Sequence, residues 1–210
     1  MTRSKKIALL LSILAVFFSS WVALKVTEGL AQLEDEYAYL WQARLIATGK
    51  ISMPSPPEAE GFFIPFVVDY QGRRFGKYPL GWPVVLSLGV IVGAHWLINP
   101  LLAGLAVWLT FRLGQKLWGD RIGLLAAALT VSSPLFLTYT GSLLSHTLGL
   151  VLSLCFALSW LEAVEKQNLT RSWLPTWSAG FSLGLLALTR PWTAVGVALP
   201  FGVHGLVRLW

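Results

Sequence analysis

The stretch WPVVLSLGVIVGAHWLI, residues 82–98, decides the fold. It is apolar and contains no Asp, Glu, Lys or Arg, so it could be a membrane span. Its orientation controls every segment after it. If it crosses a bilayer, Lys116, Arg121, Lys166 and Arg171 fall on the side opposite the basic N-terminus MTRSKK; if it does not, all four share that side. Cytoplasmic flanks gather Lys and Arg. Residues 82–98 are therefore read as a surface or re-entrant helix of an outer loop, and Asn99-Pro100 as the start of the next true span, with Pro at a helix start.

Working outward, the remaining apolar segments are 7–24, 100–118, 122–140, 143–164, 175–190 and 192–207. The first follows Arg3, Lys5 and Lys6, is long for a signal-peptide core and has no clear small-x-small cleavage site, so 1–24 reads as a retained signal anchor. With that anchor inside-to-outside, 25–98 forms a long outer loop and 99–210 a run of transmembrane helices. The charge ledger is then lopsided. The inner side holds nine basic and three acidic residues, the outer side seven of each, so the whole net charge of +6 falls inside. Asn168-Leu169-Thr170 is a sequon that would face the cytoplasm and carry no glycan. The chain stops at Trp210, just after the last span, and reads as part of a longer frame.

Bulk composition agrees. Of the 210 residues 55% are hydrophobic and 12% charged, and the mean hydropathy is +0.65. A soluble domain carries about 25% charged residues, so lipid must solvate much of this chain. Eleven Trp suit a membrane–water interface. The positive charge needs no nucleic-acid partner. The single cysteine, Cys155, excludes an intrachain disulfide and a cysteine metal cluster. The expected fold is an all-α integral membrane protein, a multi-span helical bundle whose first outer loop carries amphipathic helices and a short hairpin.

That loop has internal order. Residues 33–49 read as a helix with Leu33, Tyr37, Leu40, Trp41, Leu45 and Thr48 on one side and Gly49 as its C-cap. The Pro-rich stretch 53–57 reads as irregular. Residues 62–68 and 73–78 read as two strands around a Gln71-Gly72 turn.

Three groups could carry chemistry. The first is Glu34, Asp35 and Glu36 at the start of the 33–49 helix. Acidic residues there interact well with the helix dipole, which is reason enough for their presence. Successive carboxylates also diverge by ~100°, so they cannot serve one ligand together. Asp35 shares a face with Tyr39 and Gln42, and Glu36 with Tyr39 and Leu40. A carboxylate partly dried by aromatics can take a proton from a hydroxyl. The second group is Lys77, in RRFGKYPLGWP (73–83), and Arg190, in LGLLALTRPW (183–192). Either alone suits a lipid headgroup; together they make a clamp for an anionic phosphate. The third is His146, which can act as base, ligand or helix-start residue.

These motifs carry a resemblance. EDEYAYLWQARLIATGK (34–50) resembles the first outer loop of the C-type (GT-C) glycosyltransferases that use lipid-linked sugars, such as protein mannosyltransferases and aminoarabinose transferases. FGKYPLGWP and LGLLALTRPW resemble later segments of that group, in the right order. The resemblance implies that Asp35 is the general base and that Lys77 and Arg190 bind the donor phosphate. Glu36, Tyr39, Gln42, Tyr78 and His146 are expected to contact substrate. Relatives often carry a carboxylate directly before the Lys, near a divalent metal. Gly76 stands there in this chain, so a divalent metal is the one cofactor the resemblance leaves open. The expected partners are a polyprenyl-phosphate-sugar donor, a lipid, glycan or protein acceptor, and membrane lipids. The expected setting is the bacterial inner membrane, with a cytoplasmic N-terminus. The implied reaction transfers the sugar to an acceptor hydroxyl on the outer face with inversion. The other functions open to such a chain are a transporter or flippase of lipid-linked intermediates, or a non-catalytic membrane subunit.

Overall fold

The structure, a computed structural model, describes residues 2–165 and 173–209. The sequon 168–170 and the basic residues Lys166 and Arg171 lie outside them. Nine α-helices are present among the described residues: α1 (Arg3–Lys25), α2 (Glu34–Ala47), α3 (Gly81–Ile91), α4 (Ile98–Trp118), α5 (Asp120–Val131), α6 (Pro134–Thr140), α7 (His146–Glu165), α8 (Trp173–Ala187) and α9 (Pro191–Leu209). Between α2 and α3 lies a small antiparallel sheet, β1 (Met53–Pro54), β2 (Val67–Tyr70) and β3 (Arg73–Gly76), in the order β1-β3-β2.

Three described helical stretches are long and apolar enough to cross a bilayer: Arg3–Lys25, His95–Trp118 and His146–Val164. Taken together, α5 and α6 are also long and apolar enough, as a bent pair that is either a broken span or a re-entrant loop. Large apolar side chains are widely exposed, among them Leu10, Ile13, Phe17, Leu125, Leu129 and Leu199. A water-facing surface does not tolerate so continuous an apolar cover. The molecule is an all-α integral membrane protein.

Small residues set the helix packing. Ala8, Ser12, Ala15, Ser19 and Ala23 form the buried face of α1. Opposite them on α4 is Gly104, where an added Cβ would lie 2.6 Å from Val16 and 3.0 Å from the Ser12 carbonyl. Helices in lipid gain from such close backbone approach, because apolar burial against apolar solvent supplies little drive. The same device joins α4 to α5, where Gly114 and Gly123 meet backbone to backbone.

The break expected nowhere in 122–140 falls at Ser133-Pro134. Here α5 and α6 meet at 66°. A residue before proline is pushed out of the helical region, and Ser133 sits at φ −75°, ψ 118°, its hydroxyl accepting from the Phe136 N–H at 3.3 Å. The helix expected over 143–164 starts instead at His146, because buried side chains hold 142–145 open. Asn99 donates to the carbonyls of Ser142 and Leu144, and the Trp82 indole donates to Leu143.

The deciding stretch 82–98 is not one helix. Helix α3 ends at Ile91, Gly93 turns the chain at φ +71°, and a 3-10 turn over His95–Leu97 feeds directly into α4. At eleven residues α3 reaches ~16 Å, about half of a hydrocarbon core.

The strand expected over 62–68 forms instead at Val67–Tyr70, after a 3-10 turn over Ala59–Phe62, and the loop differs from expectation in two further ways. Gly49 does close α2 at φ +78°, but Leu33 and Tyr37 are exposed while Glu36, Ala38, Tyr39, Leu40, Gln42 and Ala43 are buried. Close packing on α3 favours the alanine side, which buries Leu40 but leaves Leu33 and Tyr37 outward. Met53-Pro54 also pairs with Arg74 and Arg73, where irregular chain was expected. The hairpin turns at Gln71 and Gly72, both at positive φ, as a two-residue primed turn requires. Arg74 donates to both carboxylate oxygens of Asp69 across the hairpin, and the guanidinium holds that carboxyl below its ordinary range.

Candidate active-site cleft

The first turn of α2, the segment after β3, the α6–α7 connection and the α8–α9 connection converge at one end of the bundle. They enclose a cleft of about 400 Å³. Each wall is held by an identifiable contact.

Asp35 comes from the first turn of α2. Its Oδ1 accepts the Tyr78 phenol at 2.5 Å. Tyr78 lies at 4.7 Å from the Tyr39 ring and edge-on to Phe66 at 5.5 Å, and its carbonyl accepts from Gln42 Nε2 at 3.1 Å. Burial, then the bond to Asp35, raises the Tyr78 phenol well above its ordinary value. Burial also raises that of Tyr39. Both therefore stay protonated through neutral pH, and Tyr78 donates to Asp35.

The chain from Tyr78 to α3 is docked on the end of α8. Gly81 donates to the Leu188 carbonyl at 2.8 Å, and an added Cβ there would lie 2.3 Å from the Thr189 hydroxyl. Only a glycine allows this approach. It brings Tyr78 and Pro79 against Thr189, Arg190 and Thr193, which line the opposite wall.

Arg190 is half-buried, its stem lying over Gly149 of α7, where a Cβ would come within 2.9 Å. Its guanidinium reaches the hydroxyls of Thr193 at 3.3 Å and Ser145 at 3.4 Å. Ser145 in turn lies 3.4 Å from the Tyr39 hydroxyl. Among the described residues no carboxylate pairs with Arg190. His146 completes the lining, stacked on Tyr139 at 4.6 Å.

Five of the eight candidate residues thus share one space: Asp35, Tyr39, Tyr78, His146 and Arg190. Three stand outside its lining. Glu36 is fully buried, and its carboxylate accepts the backbone N–H groups of Gln32 at 2.7 Å and Leu143 at 3.3 Å. Gln42 supports Tyr78 from behind. Lys77 is exposed, its ammonium 4.3 Å from the Phe66 ring centroid and 5.6 Å from that of Tyr78. Ser145, Thr189, Trp192 and Thr193 were not among the candidates. The hydroxyls flanking Arg190 in TRPWT (189–193) could have been noticed, whereas Ser145 is brought in only by the held-open loop.

The divalent metal left open by sequence finds no donor set, because among the described residues no three His, Cys, Asp or Glu side chains converge. Position 76 has its own explanation. A Cβ there would lie 2.1 Å from the Gln42 side chain. Gly76→Glu is therefore expected to destabilise the protein by about 1–3 kcal/mol through overpacking. Gly76→Glu combined with Gln42→Ala should recover much of that. Unfolding midpoints in detergent would measure both, and an unchanged midpoint for the single variant would rule out the contact.

A family model described as "Oligosaccharyl transferase STT3, N-terminal" matches residues 83–200. The match runs from α3 into α9 and contains Ser145, His146 and Arg190. No curated protein and no solved structure matches the chain. With more than half of its residues inside that model, and with the apolar helices of a membrane protein around the cleft, the chain belongs to the STT3 N-terminal family of membrane glycosyltransferases.

Proposed function

We propose that the cleft transfers a sugar from a polyprenyl-phosphate-linked donor to an acceptor hydroxyl on the non-cytoplasmic face of the membrane, inverting the anomeric centre. The observation that carries this is the meeting, in one cleft, of a carboxylate and an arginine that do not neutralise each other. Arg190, with the Ser145 and Thr193 hydroxyls, binds the donor phosphate. Lys77, next in sequence to Tyr78, adds positive charge nearby. Asp35 accepts the proton of the acceptor hydroxyl as its oxygen attacks the anomeric carbon. The bond from that carbon to the phosphate oxygen breaks, and its electron pair leaves on a phosphate stabilised by Arg190. The phenol of Tyr78 orients the carboxylate through Oδ1, leaving Oδ2 toward the acceptor.

The topology that suits this reading has a cytoplasmic N-terminus, as in a bacterial inner membrane, with α2, the hairpin and α3 outside. The short α3 supports it, since a helix of that length does not cross. The four connections that form the cleft then all lie on the outer side. The family's description, an oligosaccharyl transferase, supports glycan transfer; the acceptor hydroxyl belongs to a lipid, a glycan or a protein.

Arg190 provides the test. Membranes carrying Arg190→Ala are expected to transfer labelled sugar from a polyprenyl-phosphate donor with kcat/KM lowered about 10²–10³-fold, and Arg190→Lys to recover part of the loss. Wild-type transfer by Arg190→Ala would remove the phosphate site from this cleft.

A further inference from the structure

The reaction above makes no use of Trp192. This indole leaves 87% of its surface uncovered, yet it lines the cleft beside Arg190 and Asp35. Its position is set by the backbone. Pro191 opens α9, and the Ala194 N–H closes the first turn on the Arg190 carbonyl at 3.0 Å. The locked φ of a proline at a helix start fixes where the next side chain leaves. The backbone of Trp192 thus follows that of Arg190 in a fixed helix-start geometry, and both side chains line the same cleft.

A tryptophan that only anchors a helix at the membrane surface needs lipid around it. Trp192 also borders a cleft that holds Asp35, Ser145, Arg190 and Thr193. It sets a flat apolar plate in the same space as charged and hydroxyl groups. A pyranose has the complementary form, an apolar face of C–H bonds with hydroxyls around its edge. Amphipathic aromatic side chains suit such ligands because they offer apolar area without closing off the polar edge.

We propose that Trp192 is the platform on which the donor's sugar stacks, and that it makes the cleft favour a sugar-bearing lipid phosphate over the bare lipid phosphate. This rests on the donor-site reading of the cleft. In that arrangement Arg190 holds the phosphate, which both lipids have, and Trp192 holds the sugar, which only one has.

Binding to the purified full chain in nanodiscs separates the two roles. The probes are farnesyl phosphate and its mannose, glucose and N-acetylglucosamine adducts, measured by calorimetry. The wild type should bind at least one adduct about tenfold more tightly than farnesyl phosphate, the scale of one aromatic stacking contact. Trp192→Ala should bring the two within about twofold while farnesyl phosphate binds as before, and Trp192→Phe should restore most of the preference. A preference that survives Trp192→Ala, or a loss that falls equally on both lipids, would overturn the platform. So would a wild type with no preference. Arg190→Ala should weaken every probe; if it binds farnesyl phosphate as the wild type does, the donor-site reading itself fails, whatever Trp192 does.

Discussion

Asp35→Asn should lower kcat about 10²–10⁴-fold while changing the donor's KM by no more than a few-fold. The substitution keeps size and shape. The amide oxygen of Asn can still accept the Tyr78 phenol, so the wall formed by Tyr78 and Tyr39, with Phe66 packed against Tyr78, has no reason to move. What is lost is a group able to take a proton from the attacking hydroxyl. Because Arg190 is held by Ser145 and Thr193 rather than by Asp35, the donor phosphate should bind as before. Steady-state transfer of labelled sugar from a polyprenyl-phosphate donor separates kcat from KM. Wild-type turnover in Asp35→Asn would take Asp35 out of the chemistry. A raised KM with unchanged kcat would make it a binding residue instead.

The second large effect is on stability. Glu36 is fully buried and serves two backbone N–H groups that have few other options, one at the entry to α2 and one in the 142–145 connection. Glu36→Ala leaves both donors unsatisfied and opens a cavity. Each orphaned buried donor costs about 1–3 kcal/mol, so a loss on the order of 3 kcal/mol or more is expected. Glu36→Gln keeps one acceptor and should lose roughly half as much. Activity should fall with stability, because Leu143 belongs to the connection that carries Ser145 and His146 to the cleft. Denaturant titration in mixed micelles, followed by circular dichroism, measures the difference. A wild-type midpoint for Glu36→Ala would show that the two N–H groups find other partners.

Glu36 illustrates what local sequence hides. Adjacent carboxylates at the start of α2 look alike as helix-dipole partners. A rotation of 100° per residue sends Asp35 to the cleft and Glu36 into the core, and only the packing of α2 on α3 and on the 142–145 connection decides which goes where. Lys77 and Tyr78 divide in the same way. Next to each other after a strand, they cannot both face inward, and the phenol enters the cleft while the ammonium lies on the Phe66 ring.

Composition and apolar run length alone determined that this is a helical membrane protein, because a chain with so few charges and so many long apolar segments has no stable alternative in water. Turn chemistry was legible too: Gln71-Gly72 and Gly49 act through backbone angles that depend on one or two residues, whereas the break at Pro134 was not expected from the apolar run 122–140. The tertiary structure decided the cleft. Its walls come from four connections separated by up to 150 residues or so, and Gly81 lets the segment before α3 dock on the end of α8 where any side chain would hold the two apart. Local periodicity carries no record of which distant backbone a glycine will face. The partners of Asp35 and Arg190 therefore became visible only in the packed bundle.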